Sequence, residues 1–461
     1  MMQRVASAHH DHLWRWFAVA LLILLGAVAR TAAQAPTTAP AEPSPAEAPH
    51  PEPPPSPMAE APPTAPQPAA KALFAADSVY MTGDWGGLRP TLDEHGLRTR
   101  LYFNNTYQWN VRGGRDTTGR NGATLDWFVE LDFDRLGLIP GGRMCAHARA
   151  QWGAGVNPAV GSLWQVADDL DGRLELHLDQ LWYEQDLFAR RLTLRIGYLD
   201  YQTIVDQNAY ANSEDRQFLN QALDNNPLLP LQIGLGAAAT VRPVDWLYFI
   251  AAAVDADGRV TRTGFDTAFH GSPRYVSFFE AGVRPALPNW AGGGRLPGAY
   301  RVGAVYDPRS RPIFEDPAVR PPRRPARGDD WGWYLSFDQL VYREDERDVQ
   351  GLGLFARYGW RRDDLNRVQH FWSAGAQYQG LIPRRDADVL GVAVAQGIPS
   401  DQFEAYIDPQ ARGETVYELY YAIEVFRWLR ITPDIQYVSH PGGSDRLRDA
   451  VVLGLRAQVS F

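Results

Sequence analysis

Residues 97–111 read LRTRLYFNNTYQWNV, and apolar and polar side chains alternate along this stretch. One face of the extended chain carries Leu97, Thr99, Leu101, Phe103, Tyr107, Trp109 and Val111, and the other carries Arg98, Arg100, Asn104, Thr106, Gln108 and Asn110. A period of two is typical of a β-strand with one apolar and one strongly polar face. Soluble β-sandwiches contain strands of the same kind, so this stretch alone leaves two architectures open.

The same alternation recurs along the rest of the chain. We place sixteen such segments, near 97–111, 124–135, 143–152, 174–185, 191–199, 232–241, 246–256, 275–284, 299–306, 331–342, 351–359, 371–381, 388–396, 415–426, 431–440 and 451–461. An even number of strands is expected of a bacterial outer-membrane barrel. The final segment ends on Phe461, which lies on its apolar face.

The gaps between these segments alternate in length. Short gaps cover 186–190, 242–245, 382–387 and 427–430, and long gaps cover 153–173, 200–231, 307–330 and 397–414. The gap 285–298 should be short and is not. Short turns at one end and long loops at the other indicate an all-β fold, a 16-stranded antiparallel transmembrane β-barrel with short periplasmic turns and long extracellular loops.

Aromatic residues near the strand ends fit the girdles at which a membrane meets water. The candidates for the girdles are Trp109, Trp127, Trp152, Trp182, Tyr306, Tyr358, Trp372 and Trp428. Three other rings, Phe128, Tyr183 and Tyr420, are expected to reach the lumen, where an aromatic face can lie against a pyranose.

The first 96 residues divide into three parts. An apolar run at 17–28 follows Arg4 and Arg15, and small residues lead to a cleavage site after Ala33, so residues 1–33 are expected to be a signal peptide. Cleavage after Ala35 and an uncleaved anchor are the alternatives. Residues 34–72 are rich in proline and alanine and predict a disordered linker. Residues 73–96, which contain the sequence DWGG at 84–87, are expected to be an N-terminal periplasmic segment. We call it the DWGG segment, and residues 97–461 are expected to form the barrel.

Composition excludes several classes of partner and site. The formal net charge of -9 argues against nucleic acid, because affinity for phosphates comes mainly from lysine and arginine. The one cysteine, Cys145, allows no internal disulfide and no thiol cluster for zinc. The acidic pairs Asp363/Asp364 and Asp168/Asp169 fall in loops, and the chain has no G-x-S-x-G, H-E-x-x-H or phosphate-binding loop. We therefore expect no enzyme, no cofactor and no metal.

Several short motifs resemble a known family. Residues 81–97 read MTGDWGGLRPTLDEHGL, and LWYEQ (181–185), LPGAYRVGAVY (296–306), GLGLFARY (351–358) and GLRAQVSF (454–461) follow in order. Together they resemble the OprB-like carbohydrate-selective porins from about residue 80 to the end. The resemblance implies a monomeric 16-stranded barrel in the bacterial outer membrane that lets sugars and small polyols diffuse passively. The implied partners are mono- or oligosaccharides, outer-membrane lipid and lipopolysaccharide.

The polar faces of the strands supply candidates for the pore lining. We expect eight residues to contact the substrate, namely Arg98, Arg100, Glu130, Arg195, Asp338, Arg357, Glu418 and Arg456. Mixed arginines and carboxylates can hydrogen-bond sugar hydroxyls without favouring one charge, and the fixed guanidinium fork suits this role. The alternative is that these charges only stabilise the polar interior, as in any barrel of this type.

Two further questions stay open at this point. The segment 200–231 either folds into the barrel and narrows the pore or extends outward as a surface loop. The alternative function is an outer-membrane barrel for export or uptake of acidic saccharides or polysaccharide, coupled to periplasmic machinery through the proline-rich linker.

Overall fold

The structure is a computed structural model, and it describes residues 78–170, 176–230, 233–259, 261, 265, 274–291, 293–315, 326–345 and 349–461. The expected signal peptide (1–33) and linker (34–72) lie outside the described residues. Of the expected periplasmic segment 73–96, residues 78–96 are described.

Sixteen long strands form the body of the molecule. They are β1 (Leu97–Gly114), β2 (Gly119–Asp132), β3 (Gly142–Gly153), β4 (Leu176–Leu187), β5 (Leu192–Asp200), β6 (Ile233–Val244), β7 (Leu247–Asp255), β8 (Tyr275–Val283), β9 (Arg295–Asp307), β10 (Asp330–Arg343), β11 (Gly351–Arg361), β12 (Val368–Gln379), β13 (Val389–Pro399), β14 (Glu414–Phe426), β15 (Leu429–Ser439) and β16 (Arg448–Ser460). Each strand pairs antiparallel with the next, and β16 pairs with β1. The sheet therefore closes into a 16-stranded barrel, which confirms the predicted fold class.

Side-chain exposure along β1 shows which face points inward. Tyr107 and Trp109 are 47% and 48% exposed, whereas Gln108 and Asn110 between and beside them are fully buried. This is the reverse of a soluble sheet, because the apolar side chains lie outside and the polar ones fill the interior. Closure leaves the barrel without an open strand edge, which a hydrocarbon environment requires.

Short helices and ribbons occupy the connections. The helices are α1 (Leu88–Glu94), α2 (Asn157–Val160), α3 (Gln221–Asp224) and α4 (Asp401–Tyr406), with a 3₁₀ turn at Tyr201–Thr203. No helix in the described ranges has the length and apolar character needed to cross a membrane. The long gap 285–298 is explained by Ala286–Pro288, which pairs with the start of β9 and extends that hairpin beyond the barrel wall. A second ribbon joins Arg311–Pro312 to Ala326–Arg327.

The segment before β1 packs at the barrel end where β1 begins and β16 finishes. The backbone N–H of Met81 donates to the carbonyl of Ser460 at 2.7 Å. The Arg89 guanidinium lies between the rings of Tyr80 and Trp85, 3.8 and 4.1 Å from their centroids. It also donates to the carbonyl of Thr99 on β1. The DWGG segment thus bridges the two strands that close the barrel.

One stretch of the predicted alternation was wrong. The β3–β4 register shifts between His147 and Ala148, so that no residue of β3 is directly opposite Asp179, as in a β-bulge. The bulge reverses the faces beyond it. Trp182 therefore lies inside, under the Arg195 guanidinium at 4.2 Å, instead of in the girdle. Tyr183 lies outside, opposite the exposed Ile196.

Candidate functional site in the barrel lumen

Residues 201–230, between β5 and β6, fold into the barrel. We call this segment the inner loop. Phe218, Leu219 and Leu223 in it are fully or almost fully buried. The ring of Phe218 meets Tyr420 of β14 edge-on, with centroids 5.0 Å apart, and also meets Phe355 of β11. Of the two courses left open by the sequence, the structure shows the inward one, and an apolar core lies inside the lumen.

Arg357 holds the inner loop against β11. Its Nε lies 3.0 Å from Oδ2 of Asp206. Its two terminal nitrogens donate to the carbonyls of Leu223, at 3.2 Å, and of Ala211. The side chain is fully buried. Arg357 thus contacts both ends of the inner loop, and the loop covers it from the lumen.

Glu418 and Arg456 hold the middle of the inner loop in the same way. The Glu418 carboxylate accepts hydrogen bonds from the backbone N–H groups of Leu219 at 2.6 Å and Asn220 at 3.0 Å. Arg456 donates to the carbonyls of Glu214 at 2.5 Å and Gln217 at 2.9 Å. Both side chains are buried. These wall residues satisfy loop backbone groups that would otherwise be unpaired.

Asp338 has a different position. Its carboxylate pairs with Arg301 of the neighbouring strand β9 at 2.7 Å, and both side chains are buried. This pair joins two wall strands and includes no residue of the inner loop.

The remaining four predicted residues lie on β1, β2 and β5. Glu130 contacts Arg100 directly and lies 4.0 Å from Arg98. The side chains of Glu130 and Arg98 keep 33% and 27% of their surface exposed. Arg195 donates to the Glu184 carboxylate through Nε at 2.9 Å and Nη2 at 2.7 Å while stacking on Trp182. This side of the lumen therefore presents both signs of charge within hydrogen-bonding reach of one another.

A second inward loop was not anticipated. Residues 154–170, between β3 and β4, place Val156, Val160, Trp164 and Val166 in the same buried apolar cluster as Phe218. Backbone hydrogen bonds join the two loops, from the Asp168 N–H to the Leu219 carbonyl at 2.8 Å and from the Gln221 N–H to the Gln165 carbonyl at 3.0 Å. The apolar residues in this predicted surface loop could have indicated that it folds inward, because a solvent-exposed loop is expected to be mainly polar.

Three carboxylates meet where the loops join. Oxygen atoms of Asp168, Glu214 and Asp224 lie within 4.8 Å of one another. Burial raises the pKa of Glu214 and, more strongly, that of Asp224, and neighbouring carboxylates add to both shifts. Arg149 opposes the shift of Glu214 through an ion pair of 2.9 Å. Three neighbouring carboxylates do not by themselves define a cation site, and no metal is assigned to them.

Replacing Asp224 with asparagine is expected to stabilise the protein more at pH 8 than at pH 5, because folding raises the pKa of this carboxyl well above its usual value. An acid whose pKa is raised by folding costs stability as the pH climbs above its unfolded value and through its folded value. Asp224 Oδ1 also has no hydrogen-bond partner among the described residues, a cost of about 1 kcal/mol. Thermal unfolding in detergent at both pH values measures this difference.

The control for this experiment is Asp245→Asn, whose side chain is 96% exposed in a turn. It removes the same formal charge without relieving any burial. Equal effects of both substitutions, or a destabilised D224N protein at pH 8, would contradict the conclusion that the ionised Asp224 carboxylate lowers the stability of the folded protein.

Comparison with known proteins agrees with this architecture. The family model "Carbohydrate-selective porin, OprB family" matches residues 116–461. Porin B of Pseudomonas aeruginosa is 25% identical over 436 residues, which cover 85% of this chain and 93% of that protein. Porin AaxA of Chlamydia felis is 24% identical over 286 residues, which cover 61% of this chain and 57% of that porin.

Solved structures show the same fold. The high-pH structure of Pseudomonas putida OprB superposes with a TM-score of 0.74 at 22% identity, over 84% of this chain and all of that one. The low-pH structure of the same protein gives a TM-score of 0.54. Porins of this family are not enzymes. The chain belongs to the OprB family of carbohydrate-selective porins and is an outer-membrane β-barrel porin.

Proposed function

We propose that this porin passes mono- and oligosaccharides by passive diffusion along the part of the lumen that the two inward loops leave free. The observation that carries the proposal is the paired charge on β1, β2 and β5, where Glu130 and Arg98 stay exposed beside Arg100. A neutral sugar both donates and accepts hydrogen bonds, so a surface of adjoining cations and carboxylates can bind it briefly. Weak binding of this kind allows the sugar to leave again.

The eight predicted residues take two roles in this proposal. Arg98, Arg100, Glu130 and Arg195 contact the passing sugar. Arg357, Glu418 and Arg456 do not contact the sugar. They act indirectly, because they hold the inner loop that sets the width of the path. Asp338 keeps β9 and β10 in register through Arg301. No cofactor or metal takes part.

The remaining parts of the chain fit an exported monomer. Residues 1–33 direct export and are removed, residues 34–72 remain in the periplasm as a linker, and residues 73–96 lie at the periplasmic mouth of the barrel formed by 97–461. Outward side chains such as Trp109 face lipid and lipopolysaccharide. One copy suffices because β16 pairs with β1 of the same chain.

Liposome swelling tests the proposed function. Vesicles that contain the purified protein are expected to swell in isotonic glucose and more slowly in a trisaccharide, since the inner loop narrows the path. Protein-free vesicles and vesicles in dextran serve as controls. Swelling in glucose no faster than in protein-free vesicles would refute the proposal. Swelling in glucuronate alone would favour the acidic-saccharide function.

A further inference from the structure

A cavity of about 500 Å³ opens at the end of the barrel that carries the long loops, which faces outward in barrels of this class. The connections β1–β2, β3–β4, β11–β12, β13–β14 and β15–β16 all contribute to its wall. The polar wall residues are Arg115, Ser162, Arg367, Asp408, Ser444 and Arg446. A neighbouring cavity of about 230 Å³ shares Arg115, Gly161 and Ser162 with it.

The wall of this cavity carries more positive than negative charge. Arg446 pairs with Asp408 at 2.8 Å, and Asp408 is the one acid among the wall residues. Arg367 donates to the carbonyl of Gly442. Among the described residues, no carboxylate lies within ion-pair distance of Arg115, whose side chain packs beside Gly161. Arg367 likewise has no ion-pair partner among the described residues, but its guanidinium is engaged by Gly442, so Arg115 is the group that can bind an anion.

A buried carboxylate holds the walls of the cavity together. Glu414 accepts hydrogen bonds from the Ser162 hydroxyl at 2.5 Å, from the Leu163 N–H at 2.9 Å and from the Gly442 N–H at 2.7 Å. It therefore ties the β3–β4 loop to the β15–β16 loop directly beneath the opening. A site whose walls are already fixed loses less entropy when a ligand binds.

We propose that this cavity binds a monosaccharide that carries one anionic group, before the sugar enters the lumen. Arg115 binds the anion through its guanidinium fork, and Ser444 and loop carbonyls bind the hydroxyls. The volume lies within the range of small-molecule sites, about 300–1,000 Å³. This inference rests on the proposed function, since it assigns a loading site to the same path.

Binding to the full-length protein in detergent tests the site. Titration calorimetry with sodium glucuronate and with glucose 6-phosphate separates a carboxylate from a phosphate as the preferred anion, and glucose is the neutral reference. Arg115→Gln is expected to weaken binding of the preferred anionic sugar about tenfold, the usual scale for a lost charge-assisted bidentate contact. Arg120→Gln is the matched control, because Arg120 is exposed at the same mouth and lines neither cavity.

Each outcome decides one way. A selective loss in R115Q, with R120Q close to the unmodified protein, supports the site. Equal weakening by both substitutions would mean a general charge effect and would overturn it, as would the absence of binding by either anionic sugar. Glucose swelling of liposomes is measured in parallel for the unmodified protein and for R120Q, which should leave it unchanged. Failure of the unmodified protein to pass glucose would count against the proposed function, and it would leave the binding result intact.

Discussion

Replacing Arg357 with methionine is expected to open the pore. The change keeps most of the side-chain length but removes the ion pair to Asp206 and the hydrogen bonds to Leu223 and Ala211. Breaking a buried ion pair from one side costs about 3–5 kcal/mol, because the partner charge stays buried and unpaired. A loss of this much binding free energy raises the population of molecules with a released inner loop, relative to those with a docked one, by a factor of at least about 100.

Single-channel recording in planar bilayers measures this release. The R357M protein should show frequent openings of higher conductance, and its liposomes should admit a trisaccharide faster. Arg301→Met is the matched control, because it breaks a comparably buried ion pair, to Asp338, that joins two wall strands. R301M should lose stability without a gain in conductance. Unchanged conductance and solute exclusion in R357M would refute the role assigned to the inner loop.

Replacing Glu130 with glutamine is expected to shift the ion preference of the pore toward anions. The substitution leaves Arg98 and Arg100 facing the lumen without their shared carboxylate. One unit charge about 6 Å from a passing ion in water changes its energy by about 0.7 kcal/mol, or about threefold in population. The effect has opposite sign for anions and cations, so after screening over a Debye length of about 8–10 Å the permeability ratio should change about threefold.

The zero-current potential across a potassium chloride gradient gives this ratio directly. Glu404→Gln removes the same charge from the exposed surface of α4, so it should leave the potential near that of the unmodified protein. A shift toward cations in E130Q, or equal shifts in both variants, would show that Glu130 does not face the conducting path.

The barrel itself was predictable because lipid and water impose opposite demands on alternate residues. Tyr107 and Gln108 show this rule in β1, and it sufficed for sixteen strands. It failed at Asp179, where a bulge reversed the inward and outward faces of β4. Trp182 therefore points inward and Tyr183 outward, the opposite of the prediction. The slip is visible in the sequence only as two adjacent polar residues, Asp179 and Gln180, both of which are buried. A strict period of two assigns neighbouring residues to opposite faces, so it misplaced the residues that follow.

The candidate site was less predictable than the wall that carries it. The alternation of polar and apolar residues assigned Arg357, Glu418 and Arg456 to the inner face. It does not indicate whether water or protein fills the space in front of these side chains. The carbonyl and N–H groups that they bind belong to a segment more than 130 residues away. Backbone groups are the same in every sequence, so no pattern of residue types could predict these contacts.

The pairing of β1 with β16 and the hydrogen bond from Met81 to Ser460 also bear on the order of assembly. Closing a ring between residues about 350 positions apart is entropically unfavourable until the hairpins between them have formed. Neighbouring hairpins can form locally, yet the sheet keeps two open edges until the 13 residues of β16 have paired with β1. All sixteen strands must therefore be present before the barrel can close, and until then the unpaired strand edges need protection from other chains.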